Sequence, residues 1–143
     1  MGISKNTGLH VNAFNNRIRS RKEEADQLIE QACSFLRERK EQNSLLLTNE
    51  FYFRLVIDET IENARIHGNR SDESKFIEFS MTEKDNRISI TVRDEGTGFD
   101  PHTIDNPMQN ENRLKRGGRG IHLVKNLAHV SWNTSGNEVT VIL

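Results

Sequence analysis

Apolar residues recur along this chain in two rhythms, and the switches between them divide it into elements. Ala25, Leu28, Ile29, Ala32, Phe35 and Leu36 fall at helical spacing and predict a helix ending near Arg39, with Ser20 and Glu23 spaced as a capping box at its start. Past the polar connection 40–44 and Leu45–Leu47, a second stripe of Phe53, Val56, Ile57, Thr60 and Ala64 predicts a helix over Phe51–Gly68. Thr48 or Asn49 is its candidate N-cap, and Gly68 stands where helices commonly stop. A loop at 69–74 follows, and the rhythm changes to period two. Ile77, Phe79 and Met81, then Ile88, Ile90 and Val92, alternate with polar residues on either side of a turn at 83–86, which is a hairpin pattern. Ile121, Val124 and Ala128 predict a further helix from 121 to about 129. Two short strands, 130–134 and 138–143, flank a Ser135-Gly136-Asn137 turn. Residues 1–8 read as a polar, frayed segment, and His10–Phe14 fits an edge strand as well as it fits none. The order helix, helix, hairpin, loop, helix, hairpin predicts an α/β sandwich, one mixed or largely antiparallel sheet with its helices on a single face.

A chain of 143 residues suits one domain spanning 1–143. Twenty Lys and Arg against 21 Asp and Glu leave no basic surplus for nucleic acid, and no basic tail supplies one locally. A mean hydropathy of -0.72 and short apolar runs exclude a membrane-spanning helix. The opening MGISKN has Asn6 where a myristoylation signal needs Ser or Thr, and no secretory signal is visible. The one cysteine, Cys33, falls within a helical pattern as a small core residue, so a reducing cytoplasm is the expected location.

Candidate chemistry sits in the second helix and in the loops. Glu59 and Asn63 are four apart, so their side chains lie one turn above the other beside the apolar stripe. Sheltering a carboxylate and a carboxamide there is costly without a partner, and a metal ion or a hydroxyl to be deprotonated would suit them. Asp94 ends the best strand just before Gly96 and Gly98, where a carboxylate can accept from an exocyclic amine and glycines let backbone approach a flat ring. Gly117, Gly118 and Gly120 precede a helix whose N-terminal N–H groups suit an anion, and Arg113, Lys115, Arg116 and Arg119 cluster beside them. Each feature alone has a plainer explanation: a surface acid, a strand-end turn, a flexible linker, a solvated loop. His67 reads as a helix-end or core histidine. The aperiodic segment between Pro101 and Arg116 is long enough that a functional loop is the expectation.

Taken together and in order, Glu59 with Asn63, Asp94-x-Gly96-x-Gly98 and Gly118-x-Gly120 resemble the three ATP-site boxes of the GHKL ATPase superfamily, which includes gyrase, MutL, heat-shock chaperones and sensor histidine kinases. The resemblance runs from about Arg17 to the C-terminus, and no Walker-type GxxxxGK[ST] occurs. Within that superfamily DETIENARIHG, DEGTGFDP and KRGGRGIHLVKNL look like the stand-alone bacterial anti-sigma-factor serine kinases; sensor kinases often carry Lys or Arg where Ile66 stands. Ala128-His129 departs from an acidic pair common in that family, which leaves the partner surface open.

The resemblance implies an ATP site in which Asn63 ligates Mg²⁺, Glu59 is general base toward a Ser or Thr hydroxyl, and Asp94 reads the adenine amine with Gly96 and Gly98 giving room. It further implies a lid over 101–117, phosphate contacts from Gly118 and Gly120, and Arg116 or Arg119 against charge on the γ-phosphate. The implied partners are an antagonist protein as phosphoacceptor and a sigma factor, with homodimerisation open. A nucleotide-gated switch without transfer, or a detached ATP-binding domain of a phosphorelay, are the alternatives.

Overall fold

The computed structural model describes residues 2–6, 11–39, 44–84, 87–98 and 129–143. Strands β1 (Gly2–Asn6) and β2 (Val11–Arg19) come first, followed by helices α1 (Lys22–Arg37) and α2 (Ser44–Asn63). A π-helical turn, Ala64–Gly68, extends α2, and β3 (Phe76–Lys84), β4 (Arg87–Asp94), β5 (His129–Trp132) and β6 (Glu138–Ile142) complete the sheet. The strand order is β1-β2-β3-β4-β6-β5, and every pairing is antiparallel. The expected α/β sandwich is therefore present, its described sheet antiparallel throughout rather than mixed. The expected lid at 101–117 and the expected helix from 121 lie outside the described residues, as do Arg113, Lys115, Arg116, Gly117, Gly118, Arg119 and Gly120; His129, the expected end of that helix, opens β5.

Both hairpin strands alternate as their sequence requires: Ile77, Phe79 and Met81 on β3 and Ile88, Ile90 and Val92 on β4 are buried. The register Lys84↔Arg87 closes that hairpin and Ile77↔Asp94 ends it. Against this face lie Leu28, Ile29, Phe35 and Leu36 of α1 and Phe53, Val56, Ile57 and Ile61 of α2, all buried. Phe14 of β2 sits at the centre, its ring 5.7 Å from Phe35 and 5.9 Å from Phe79. The opposite face of the sheet is polar; the register aligns Arg17, Glu78, Arg93 and Glu138 in one rung of alternating charge.

Several boundaries differ from the sequence expectation, each for a local reason. The polar start is not frayed: Gly2–Asn6 pairs with β2, which makes β2 an inner strand and β1 the edge. No capping box forms at α1. Ser20 is buried, with its N–H on the Lys75 carbonyl at 2.8 Å; Arg21 is the N-cap, and Glu24 instead reaches back to the Arg19 N–H at 2.7 Å. At the other end Arg39 folds back over the Phe35 ring and donates to the Phe35 carbonyl at 2.8 Å, satisfying a helix-end acceptor. Helix α2 starts at Ser44, so Thr48 and Asn49 lie inside it rather than capping it.

Phe14→Ala should cost about 3–5 kcal/mol, because it opens a cavity where both layers meet. Urea unfolding measures it; a loss below about 1 kcal/mol would show that the ring cluster does not organise the core.

Candidate functional site

The C-terminal half of α2 is buried on one side by Val56, Ile57 and Ile61, and the Thr60 hydroxyl is absorbed by its own helix, donating to the Val56 carbonyl at 2.7 Å. This rotation leaves Glu59 at the margin of the core, only 8 % exposed. Burial pushes its carboxyl above the ordinary glutamate range, and the nearby negative charges of Asp58 and Glu62 push the same way. Among the described residues, Glu62 has Lys22 at 3.2 Å and Arg65 at 2.8 Å as cationic partners.

Directly after Asn63 the helix widens. The Asn69 N–H bonds to the Ala64 carbonyl, five residues back, at 2.8 Å, and the turn between them is π-helical. Single π turns of this kind recur at functional sites. Gly68 is thus not a left-handed residue past the helix end; it is the last residue of this turn, and Asn69 in right-handed conformation caps it. Its lack of a side chain has a different cause. A Cβ on Gly68 would stand 2.1 Å from Asp94 Oδ2, and one on Gly96 would stand 2.0 Å from the Gly68 carbonyl oxygen. Gly98 has φ of 69°, and a Cβ there would lie 2.0 Å from the Ser135 carbonyl oxygen, so it needs glycine twice over.

Asp94, the last residue of β4, is held from three sides. Its N–H bonds to the Asn137 carbonyl at 2.9 Å, the Asn137 carboxamide donates to its carbonyl at 3.4 Å, and the Gly96 N–H donates to its Oδ1 at 2.8 Å. Asn63, His67 and Gly68 from the helix end, Asp94 from β4, Trp132 from β5 and Asn137 from the β5–β6 turn line one pocket. The structure therefore brings together Asn63 and Asp94, while Gly96 lies against Gly68 and Asp94 and Gly98 against Ser135, neither of them lining the pocket. Glu59 does not line the pocket; it stands one helical turn before Asn63. His67, which sequence places as a helix-end residue, lines it, and Asn69 and Asn137 were not singled out at all. Asparagine beside glycine in Gly68-Asn69 and Gly136-Asn137 is the signal that marks such turns.

A magnesium nucleotide fits this donor set. The amide oxygen of Asn63 could serve as a hard ligand, and the Asp94 carboxylate lines the same pocket as a candidate acceptor. Among the described residues no cluster of three or more His, Cys, Asp or Glu could hold a metal ion by itself, so most of the ion's ligands would come from phosphate and water.

An antiparallel sheet covered by helices, with an Asn-bearing helix end set against a strand-end aspartate and its glycines, is the frame of a GHKL-type domain. The chain belongs to the histidine kinase-like ATPase domain family, which matches residues 21–143. It is similar to the anti-sigma F factors of Geobacillus stearothermophilus and Geobacillus kaustophilus, each 32% identical over 75 residues, 51% of this chain and 51% of the relative. The anti-sigma F factor of Geobacillus thermodenitrificans is 32% identical over 77 residues, again 51% of each chain. The chain thus spans about half the length of the curated relatives it matches. Among the described residues no helix is long and apolar enough to cross a membrane.

Two stability measurements check this geometry. Gly68→Ala should destabilise the protein by about 1–3 kcal/mol, and on an Asp94→Ala background most of that cost should vanish. Additive losses would mean that Gly68 and Asp94 do not press on each other. Glu59→Gln should stabilise the protein at neutral pH. Because the folded pKa of Glu59 is raised, wild-type stability falls as pH rises from the unfolded value near 4.5 through the folded one, while the glutamine variant lacks that loss. The gap should close below that window; a gap of the same size at all pH values would contradict a buried ionised Glu59.

Proposed function

We propose that this protein binds ATP with Mg²⁺ and transfers the γ-phosphoryl group to a Ser or Thr of an antagonist protein, controlling a sigma factor that it otherwise sequesters. The observation that carries this reading is Glu59, a carboxylate buried to 8 % exposure with a raised pKa, one turn ahead of the pocket-lining Asn63. A structural glutamate would gain from a cation here, and among the described residues Lys22 and Arg65 pair with Glu62. A base awaiting a proton gains from the environment as it stands. The likeness to anti-sigma F factors supports the choice of partner class.

In this reading Asp94 accepts a hydrogen bond from the adenine amine, and Gly96 and Gly98 keep the rim clear of side chains. Asn63 holds the Mg²⁺, whose chemistry there is to neutralise phosphate oxygens. The glycines Gly118 and Gly120 donate N–H groups to the phosphates, with Arg116 or Arg119 against the γ-phosphate and 101–117 as the covering lid. Glu59 takes the proton from the acceptor hydroxyl as that oxygen bonds to phosphorus and the bridging P–O bond breaks, releasing ADP. Catalysis of this kind rests on positioning and electrostatics more than on covalent chemistry by the protein.

Glu59→Gln should lower phosphoryl transfer by roughly 10²–10⁴-fold while sparing nucleotide binding. Asn63→Ala should instead weaken Mg-ATP binding itself. Calorimetry for binding and γ-labelled ATP for transfer separate the two, and equal losses of affinity in both variants would refute the roles. Wild-type transfer should rise with pH across an acid limb displaced above the ordinary glutamate range. Phosphoamino-acid analysis after incubation with γ-labelled ATP and lysate decides the reaction: phosphoserine or phosphothreonine supports it, whereas no transfer or acid-labile phosphohistidine overturns it.

A further inference from the structure

Between the groups that the nucleotide reading employs stands a polar side chain that none of its steps uses. Asn69 is fully buried at 0% exposure and does not line the pocket. Its Oδ1 accepts from the Glu95 N–H at 2.8 Å, and its Nδ2 donates to the Phe76 carbonyl at 3.0 Å. Its own N–H closes the π turn on the Ala64 carbonyl at 2.8 Å, and its carbonyl accepts from the Asp72 N–H at 3.0 Å. Glu95 reciprocates, with Oε1 accepting from the Phe76 N–H at 2.6 Å.

The placement of these bonds gives them a purpose. Ile77↔Asp94 is the last pair of the β3–β4 ladder, so Phe76 and Glu95 lie one position beyond it. There the side chains of Asn69 and Glu95 take the place of the missing rung. The bridge ties three segments: the π turn that carries Gly68, the start of β3, and the turn holding Asp94 and Gly96. After Asn69 the chain reverses through Arg70 and Ser71, both left-handed with φ of 53° and 57°, a conformation that L side chains avoid unless their surroundings impose it.

We infer that Asn69 is a positioning residue for base recognition. Its carboxamide sets the Asp94–Gly96 turn against Gly68, and so fixes where the Asp94 carboxylate meets the ligand. The inference rests on the reading of Asp94 as acceptor of the adenine amine. A hydroxyl at position 69 would be too short to span from Glu95 to Phe76, and an aliphatic side chain would leave the Glu95 N–H and the Phe76 carbonyl, both part-buried, without this partner.

The test compares affinities for ATP and for purine riboside triphosphate, which lacks the 6-amino group, by calorimetry with saturating magnesium. A hydrogen bond to a charged acceptor is worth on the order of tenfold to a hundredfold in affinity, which is the preference for ATP expected of the wild type. Asn69→Ala should reduce that ratio to within about twofold of unity. Partial unfolding would lower both affinities alike and leave the ratio unchanged, so the ratio reports positioning and not stability. If N69A does not fold, N69D keeps the acceptor for Glu95 and loses the donor to Phe76; a ratio at least threefold below wild type supports the role. A variant that retains the wild-type ratio overturns it. A wild type that binds ATP without preference, or not at all, fails the reading of Asp94 instead, so the two failures are distinguishable.

Discussion

The two layers of this fold are held apart almost everywhere by large side chains, and at one corner they are not. Phe14, Phe35 and Phe79 set the separation in the middle of the sandwich. At the end of α2 the spacing closes until the Gly68 backbone lies against the Asp94 carboxylate and the Gly96 backbone lies against Gly68. Neither approach tolerates a Cβ, and the Gly96 contact is the stricter because its neighbour is main chain. The convergence makes a helix end and a strand end into one wall. Asn63, His67 and Asp94 share a pocket because their elements meet at this corner. The fold as a whole is a device for bringing these two chain termini of secondary structure together.

Placing Glu59 beside that wall works against stability. A glutamate 8 % exposed, next to Asp58 and one turn from Glu62, is opposed by desolvation and by like charge. The neighbouring Glu62 faces the same field but is answered by Lys22 and Arg65. Two carboxylates one turn apart on one helix are thus treated differently, and the difference falls where sequence placed the candidate base. Natural proteins tolerate such conflicts at functional positions and compensate elsewhere; here the compensation is the apolar seam of Val56, Ile57 and Ile61 against the sheet.

Much of this architecture was legible in the periodicity. The stripes of α1 and α2 and the alternation of β3 and β4 are imposed by burial, and burial is what periodicity records. Strand β2 was hard to read because, among its described side chains, Phe14 and Ile18 are the large buried ones, while Asn15, Arg17 and Arg19 look like a loop. The start of α2 was misplaced for the opposite reason: Thr48 and Asn49 are good caps by type, but the helix already begins at Ser44. At the site, the residue types and their order were readable and the contacts were not. Gly68 looked like a helix stop because glycine usually serves that purpose; its actual duty, to leave room for Asp94, is a tertiary relation that local sequence cannot announce. The π turn had no local signature, since Ala64-Arg65-Ile66-His67 could equally continue an α-helix; it is closed by the Asn69 N–H.

The asparagines around Asp94 share a physical logic that extends beyond any one of them. A carboxamide carries one donor face and one acceptor face, so it can stand in for a peptide group where the chain itself has turned away. Asn69 does so on the β3 side of Asp94, bridging Glu95 and Phe76. On the β6 side Asn133 Oδ1 accepts from the N–H groups of Asn137 and Glu138 at 3.1 and 3.2 Å, and its Nδ2 donates to Asn137 Oδ1 at 2.8 Å. Asn137 in turn binds both main-chain groups of Asp94. Carboxamides therefore pair these main-chain groups at the very place where the sheet stops and forms a rim. Satisfied buried networks of this kind resist rearrangement, because moving any member strands another. A pocket rimmed in this way is shaped on this side before a ligand arrives.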